Sequence, residues 1–267
     1  MSAPSGESAF YERTDVDRYA PTAFTRGPWD AASQHAGPPA ALLGRAVERR
    51  AGAREDMRLA RITYEILRPV PIGPLEVAVE VVRAGRGTEL LEASLTPEGG
   101  EAVMRARALR IRQADAPVPE VVEGPAVLPW QESAELPFFE VPWEVGYHTA
   151  MEMRFAAGSF AERGPATCWM RPKVPLVAGE KTGALERVLV AADSGNGVSS
   201  ALDFRTHVFV NPDLTVHLHR HPVGEWVCLE ARTSIDAAGI GTADTTLHDE
   251  KGPIGRGVQS LFVAARP

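Results

Sequence analysis

The segment QHAGPPAALLGRAVERRA, residues 34–51, predicts the first helix of the chain. Pro38 and Pro39 suit a first helical turn, where the backbone N–H groups have no acceptor within the helix. No further proline interrupts residues 40–50. The first half is therefore predicted to be one helix followed by strands, with extended runs at about 58–70, 75–84, 88–97 and 101–112.

The strand predictions depend on alternation of apolar and polar residues. In residues 60–66 the apolar side chains occupy every second position, and residues 75–81 show the same pattern with leucine and valine. A period of two places these side chains on one face of a half-buried strand. At residues 108–109 the apolar positions change parity, which predicts a β-bulge or the end of the strand.

The second half repeats this plan. GALERVLVAADS, residues 183–194, predicts a second helix, and the segments LTPEGGEAVMRARALRIR (95–112) and LHDEKGPIGRGVQSLFVAAR (247–266) can be laid side by side as the last strands of each half. One helix on a curved antiparallel sheet, formed twice, is an α+β architecture. The other strand-like segments of this half are 151–158, 166–175, 203–210, 213–220, 225–236 and 239–249.

A proline-rich, aperiodic segment separates the two halves. Residues 1–115 and 141–267 are predicted as the two folded units, and residues 116–140 as a linker or a segment that crosses the surface.

Composition excludes several classes of protein. The chain has 267 residues, a mean hydropathy of −0.14 and no apolar run long enough to span a membrane. Its 28 basic and 35 acidic residues give a net charge of −7, which argues against nonspecific binding to nucleic acid or to an anionic membrane. The amino terminus lacks the pattern of a secretory signal, so a cytoplasmic location is expected. Cys168 and Cys228 are expected to be buried free thiols, because neither stands in a CxxC motif.

Several catalytic motifs are absent from the sequence, among them GxSxG, the P-loop, HExxH and GxGxxG. His217, His219 and His221 alternate, so they share one strand face as metal ligands would. Leu214, Val216 and Leu218 fill the opposite face of the strand, which favours a solvent-facing histidine stripe over a metal site. No metal and no cofactor are therefore predicted.

Two polar residues stand where apolar residues are expected. Gln259 shares its parity with Leu261 and Val263, and a buried amide costs about 1–3 kcal/mol without hydrogen bonds. It is therefore either a structural or a functional hydrogen-bonding group. Asp193 follows the apolar stripe of residues 185–192 at the end of a helix, where the helix dipole disfavours negative charge. An Asx turn before Gly195 is the structural alternative.

The order of four segments resembles the double-hotdog acyl-CoA thioesterases, the TesB-type or thioesterase-like superfamily. The segments are QHAGPPAALLGRA, LVAADSGNG, NPDLTVHLHRHPVGEW and GRGVQ, and the resemblance covers about residues 20–267. It implies two hotdog folds in one polypeptide, each a long helix wrapped by an antiparallel sheet. It also implies an acyl-CoA substrate, no cofactor, and hydrolysis of a fatty acyl or related thioester.

The resemblance implies three catalytic residues that hold the attacking water. Asp193 matches the family's aspartate and Gln259 matches its glutamine. Asn211 stands where the family has threonine or serine, and a shift in register would instead bring Thr206 or Thr215 to this position. Asparagine can also donate and accept hydrogen bonds.

His35 and Gly37 are the predicted substrate-binding residues. Backbone N–H groups at His35-Ala36-Gly37 are free to meet an oxyanion if a helix starts there. The alternative for His35 is a loop histidine whose ring bonds to backbone. The acyl chain is expected in a tunnel lined by residues such as Trp169, Met170 or Phe204, each of which could instead belong to the core. The candidate residues for binding the coenzyme A phosphates are Arg58, Arg61, Arg68, Arg83, Arg86, Arg105, Arg107, Arg110 and Arg112.

Two other functions are kept as alternatives. One is a noncatalytic acyl-thioester binding protein. The other is a hotdog enoyl-CoA hydratase or dehydratase with His35 as its base, although the aspartate-to-histidine motif of such enzymes does not follow Asp193. Exposed sheet edges make a homo-oligomer a reasonable expectation.

Overall fold

The structure is a computed structural model that describes residues 9–50, 52–122, 124 and 126–266. The amino-terminal residues on which the signal prediction depends in part lie outside this range. The first half contains one helix, α1 (Gly37–Arg49), and the strands β1 (Tyr11–Asp15), β2 (Arg18–Pro21), β3 (Met57–Ile66), β4 (Leu75–Ala84), β5 (Thr88–Pro97) and β6 (Met104–Arg112). The second half contains α2 (Tyr147–Ala150), β7 (Met151–Ala157), β8 (Ala166–Pro172), α3 (Ala184–Ala192), α4 (Gly195–Val198), β9 (His207–Val210), β10 (Asp213–Leu218), β11 (Val227–Ile235), β12 (Ile240–Asp249) and β13 (Gly252–Ala265).

All these strands join one antiparallel sheet. Its order is β1-β2-β4-β5-β6-β3-β10-β13-β12-β11-β8-β7, with β9 paired to β13. The two halves meet where β3 pairs with β10, for example Thr63 opposite Thr215. Helices α1 and α3 cover the buried face, so the apolar alternation of the strands and the apolar stripes of the helices close one core.

The two main helices approach each other closely because α1 presents glycine to α3. A Cβ atom at Gly37 would lie 2.2 Å from the carbonyl oxygen of Val190, and one at Gly44 would lie 2.1 Å from the Cδ1 atom of Leu189. The first obstacle is backbone, whereas the second is the end of a flexible side chain. Gly37 is therefore the less replaceable of the two.

Gly37→Ala is expected to destabilise the protein by about 1–3 kcal/mol, because the added methyl group forces the helices apart. Gly44→Ala should cost less, since Leu189 can change its rotamer. Gly73→Ala is the control, because a Cβ atom at Gly73 meets nothing within 4 Å. Urea unfolding of the three variants measures the order. Equal stability of Gly37→Ala and Gly73→Ala would contradict this packing argument.

Most predicted elements are confirmed. Both main helices form, and the strands predicted in each half form with bounds shifted by a few residues. Cys168 and Cys228 are buried free thiols, as expected. Two short strands, β1 and β2, escaped prediction because only Tyr11 and Tyr19 within them are fully buried, which leaves no clear alternation.

The predicted bulge at residues 108–109 is wrong. The inward parity of β6 continues through Ala108 to Arg110, whose guanidinium is buried and bonds to Glu89 at 2.9 Å. The extra residue lies instead on β3, where the pairing skips Ala60. The apolar positions change parity in the sequence because Arg110, although charged, faces inward, whereas Ile111, although apolar, faces outward.

The segment between the halves runs along the second half. The carbonyl oxygen of Leu128 accepts a hydrogen bond of 2.7 Å from the Trp169 indole, and Ala134 forms an isolated bridge with Phe155 of β7. At the other end of the sheet, Tyr11 of β1 forms a bridge with Val177. Both outer strands therefore have further backbone partners. Within the described residues no helix is long and apolar enough to cross a membrane.

Candidate active site

Asp193 caps the carboxyl end of α3, and its buried carboxylate is held from strand β13 and from the connection between β9 and β10. The side-chain amide of Asn211 donates to Oδ1 at 2.8 Å, and that of Gln259 donates to the same oxygen at 3.1 Å. Three residues that are far apart in the sequence therefore meet at one carboxylate oxygen. An Asx turn, the structural alternative for Asp193, would bond to nearby backbone and does not account for these contacts.

Gln259 faces inward from β13, as its parity predicted. Its Nε2 atom also donates to the backbone carbonyl of Asp193 at 3.0 Å, and its Oε1 atom accepts from the backbone N–H of Asn196 at 3.1 Å. Both ends of the amide are thus bonded, which satisfies a group that burial would otherwise penalise.

Asn211 lies between β9 and β10, and it is the residue that reaches Asp193. Thr206 bonds instead to the Asp203 carbonyl and to the His207 ring, and Thr215 bonds to Thr63. Of the three residues considered for this position, Asn211 alone contacts Asp193 among the hydrogen bonds of the described residues.

His35 comes from the loop before α1, in the other half of the chain. Its Nδ1 atom lies 3.2 Å from Oδ2 of Asp193 and accepts a hydrogen bond of 3.1 Å from the Gly37 N–H. The ring stacks on Tyr147 with centroids 3.7 Å apart and planes 5° apart. His35 therefore bonds to backbone, as the loop alternative expected, and it also touches the carboxylate.

Burial sets the charge of this pair. Desolvation raises the pKa of Asp193 to about 7, against the opposing effect of the Asn211 and Gln259 hydrogen bonds and of the neighbouring backbone N–H groups of Ala36 and Gly37. Desolvation also lowers the pKa of His35 to about 3. The pair thus favours a neutral imidazole and a carboxyl group that titrates near neutral pH.

A cavity of about 490 Å³ opens beside these groups. Asp193, Asn211, Gln259 and His35 line it together with apolar side chains from both halves of the chain. A concave apolar space with a few convergent polar groups and a shifted carboxyl pKa is typical of a catalytic pocket.

The tunnel predictions are corrected in part. Trp169 packs with Trp226 and Cys228 in a separate cluster, and Met170 belongs to the main core, so neither lines this cavity. Phe204 packs against Trp29 and Phe209, which do line it.

Among the arginines considered for phosphate binding, Arg68 lines the cavity and pairs with Glu101 at 2.6 Å. Arg110 is committed to its buried pairing with Glu89. Arg266, which was not considered, also lines the cavity.

No group of three histidine, cysteine, aspartate or glutamate side chains is arranged to hold a metal ion in the part of the chain that the structure describes. The three alternating histidines, His217, His219 and His221, are exposed.

Sequence reasoning missed Tyr147 and Asn196. The Tyr147 hydroxyl donates to the Val190 carbonyl at 2.9 Å and lies 3.0 Å from Ser194 Oγ, so it fixes the end of α3 while its ring supports His35. No periodic pattern marks Tyr147, since it lies in a four-residue helix. The sequence around Asn196 predicts a turn, but the hydrogen bond from its backbone N–H to Gln259 depends on long-range folding.

The sequence matches two models of acyl-CoA thioesterase domains, the N-terminal domain over residues 25–111 and the C-terminal domain over residues 125–263. No curated protein sequence matches the chain. Solved structures are similar along nearly its whole length, and these likenesses show the hotdog fold. A proposed thioesterase II from Thermobifida fusca is 17% identical, covering 99% of this chain and 100% of that chain, with a TM-score of 0.76.

Two further solved structures are similar to the chain along most of its length. A protein of unknown function with a hotdog fold from Alicyclobacillus acidocaldarius is 14% identical, covering 95% of this chain and 94% of that chain, with a TM-score of 0.71. A TesB protein from Mycobacterium avium subspecies paratuberculosis is 16% identical, covering 96% of each chain, with a TM-score of 0.67. Because the C-terminal family model alone spans more than half of the sequence, this chain belongs to the acyl-CoA thioesterase family of thioester hydrolases.

Proposed function

We propose that the chain hydrolyses a fatty acyl or related acyl-CoA thioester with a water molecule activated by Asp193 and held by Gln259 and Asn211. The observation that carries this proposal is the convergence of two amide donors on one buried carboxylate beside a cavity. Asp193 lines this cavity, so a water molecule inside it can donate a hydrogen bond to the carboxylate.

Asp193 acts as the general base. It takes a proton from water as the water oxygen attacks the thioester carbon, and the carbonyl oxygen becomes an oxyanion. The intermediate then expels the coenzyme A thiolate, which receives the proton from Asp193. The products are a carboxylic acid and the free thiol. Such base catalysis contributes about 10²–10⁴ in rate when the base has a pKa near the working pH.

His35 links this proton to the oxyanion. Gly37 N–H donates to His35 Nδ1 before the reaction, so it is not yet free for substrate. We propose that protonated Asp193 donates to His35 Nδ1 across the 3.2 Å contact and thereby releases the Gly37 N–H to the developing oxyanion. This gives His35 and Gly37 their substrate-side roles.

We further propose that residues 1–115 and 141–267 are two tandem hotdog units joined by residues 116–140. Two observations support this division. Each half places one main helix on antiparallel strands, and the halves share a continuous sheet through β3 and β10. The site takes His35 from the first unit and Asp193 from the second.

The acid limb of the pH profile is a direct test. Because only ionised Asp193 can accept the proton, kcat/KM should fall as pH drops below about 7. Asn211→Ala removes a hydrogen bond that lowers the pKa of Asp193, so it should move this limb to higher pH and reduce kcat. Steady-state hydrolysis with a thiol-trapping dye between pH 5 and 9 gives both values.

Thr215→Val is the matched control, because Thr215 was the alternative at this position and bonds only to Thr63 among the described contacts. Its profile should match that of the unaltered protein. A flat profile through pH 5–8 would contradict Asp193 as the base. Loss of enoyl absorbance without thiol release would instead indicate a hydratase, and tight binding without turnover would indicate a binding protein.

A further inference from the structure

Aromatic side chains are concentrated on one wall of the catalytic cavity. Trp29, Phe138, Phe139, Phe160 and Phe209 line it, and Phe204 lies against them. The chain contains only nine phenylalanines, and most of them gather here. We call these six residues the aromatic wall. Their concentration in one place needs a physical reason beyond ordinary core packing.

The rings come from separate parts of the chain. Trp29 belongs to the loop before α1, Phe138 and Phe139 to the segment between the halves, and Phe160 to the β7–β8 connection. Phe204 and Phe209 come from the region between α4 and β10. Four independent segments therefore converge on the same face of the cavity.

Phe139 is the centre of the aromatic wall. Its ring stacks on Trp29 with centroids 5.7 Å apart, lies 5.5 Å from Phe204, and meets Phe160 edge to face at 5.8 Å. Phe138 meets Phe160 edge to face at 4.7 Å. Both stacked and edge-on geometries are thus present.

The aromatic wall is not sealed from the cavity. Trp29 is 49% exposed, and Phe138, Phe139, Phe160 and Phe204 are each partly exposed, whereas a closed core would bury them. Exposed ring surface at a cavity favours an occupant that can stack with it. Pairs of aromatic rings gain stabilisation beyond the area they bury, which an alkyl group does not.

From this arrangement we infer that the aromatic wall selects an acyl-CoA whose acyl group carries an aromatic ring. The inference rests on the proposed function, because the ring must reach the aromatic wall while the thioester carbon lies beside Asp193. The simplest acyl group of this kind is an aryl ring joined to the thioester by a short methylene chain. Phe139 and Phe160 are the specificity-determining residues.

The test compares two substrates that differ only in aromaticity. 3-Phenylpropanoyl-CoA and 3-cyclohexylpropanoyl-CoA have the same carbon skeleton, so the number of carbon atoms and the chain length are held constant. We expect kcat/KM of the unaltered protein to be about tenfold higher for the aryl substrate. Equal values, or a higher value for the saturated ring, would overturn the inference.

Matched variants locate the effect. Phe139→Leu and Phe160→Leu keep apolar bulk but remove a ring, so each should reduce the ratio of the two kcat/KM values at least threefold. Phe262→Leu is the control, because Phe262 is 59% exposed on the outward parity of β13. It should leave the ratio unchanged. An unchanged ratio in both cavity variants would overturn the assignment of these residues.

Binding separates this inference from the proposed function. Calorimetric titration of Asp193→Asn with the same two acyl-CoAs measures affinity without turnover. An aryl preference of about tenfold in Kd supports the inference. It does so even if the unaltered protein hydrolyses no acyl-CoA, and in that case only the proposed function fails. Hydrolysis of both substrates with equal Kd values would overturn the inference and leave the proposed function intact.

Discussion

Asp193→Asn is expected to lower kcat for acyl-CoA hydrolysis by about 10²–10⁴ while the protein stays folded. An asparagine can reproduce the static contacts of the carboxyl group. Its oxygen can accept from Asn211 and Gln259 as Oδ1 does, and its NH₂ group can donate to Nδ1 of His35. The variant therefore removes the base and little else.

Stopped or steady-state thiol release with the preferred acyl-CoA measures this loss, and circular dichroism verifies the fold. Asp115→Asn serves as a control, because Asp115 is an exposed carboxylate paired with Arg112. It should retain full activity. Retention of more than about a tenth of kcat in Asp193→Asn would contradict the proposed role.

The second large effect concerns stability against pH, and it depends on His35 and Asp193 as a pair. In the unfolded chain at pH 5, histidine is protonated and aspartate is ionised. In the folded protein the raised pKa of Asp193 and the lowered pKa of His35 reverse this distribution. Each state holds one proton on the pair, so the pair makes little contribution to the pH dependence between about pH 4 and 6.5.

Breaking the pair should reveal two opposite slopes. With His35→Gln, only the acid remains, and its folded pKa lies above its unfolded value. Its stability contribution is then full below about pH 4 and is lost as pH rises to about 7, a change of about 4 kcal/mol. With Asp193→Asn, only the histidine remains. Its folded pKa is lowered, so its contribution is present above about pH 6.5 and is lost as pH falls.

Urea unfolding at pH 4.5, 5.5, 6.5 and 7.5 measures these slopes. The difference between each variant and the unaltered protein is the informative quantity, because it cancels the other titrating groups. Asp115→Asn is the control, because it removes an exposed carboxyl group instead of a buried one. Slopes of the same sign in His35→Gln and Asp193→Asn would contradict the reversed proton distribution.

Local pattern was enough to predict most strands and both main helices. The alternation in β3 and β5 and the stripe of α3 follow directly from burial on one face. The bulge near residue 108 failed because Arg110 is buried with Glu89, and no local pattern distinguishes a buried ion-paired arginine from an exposed one.

The site was predictable to the extent that single residues broke a local rule. Gln259 lies on an apolar strand face, and Asp193 lies at the helix end where the dipole disfavours negative charge. Both positions therefore indicate candidate site residues. Their partnership with Asn211, and the contact with His35, depend on pairing between distant segments. The stacking of Tyr147 on His35 had no sequence signal at all.

The pairing of β3 with β10 and the close seating of Gly37 on α3 have a consequence for how the chain comes apart. Neither half can unfold without also breaking the β3–β10 pairing and the contact between α1 and α3. Thermal unfolding should therefore be a single cooperative transition. Cleavage of the peptide backbone within residues 116–122 would then leave two fragments that remain bound as a catalytically competent, noncovalent complex.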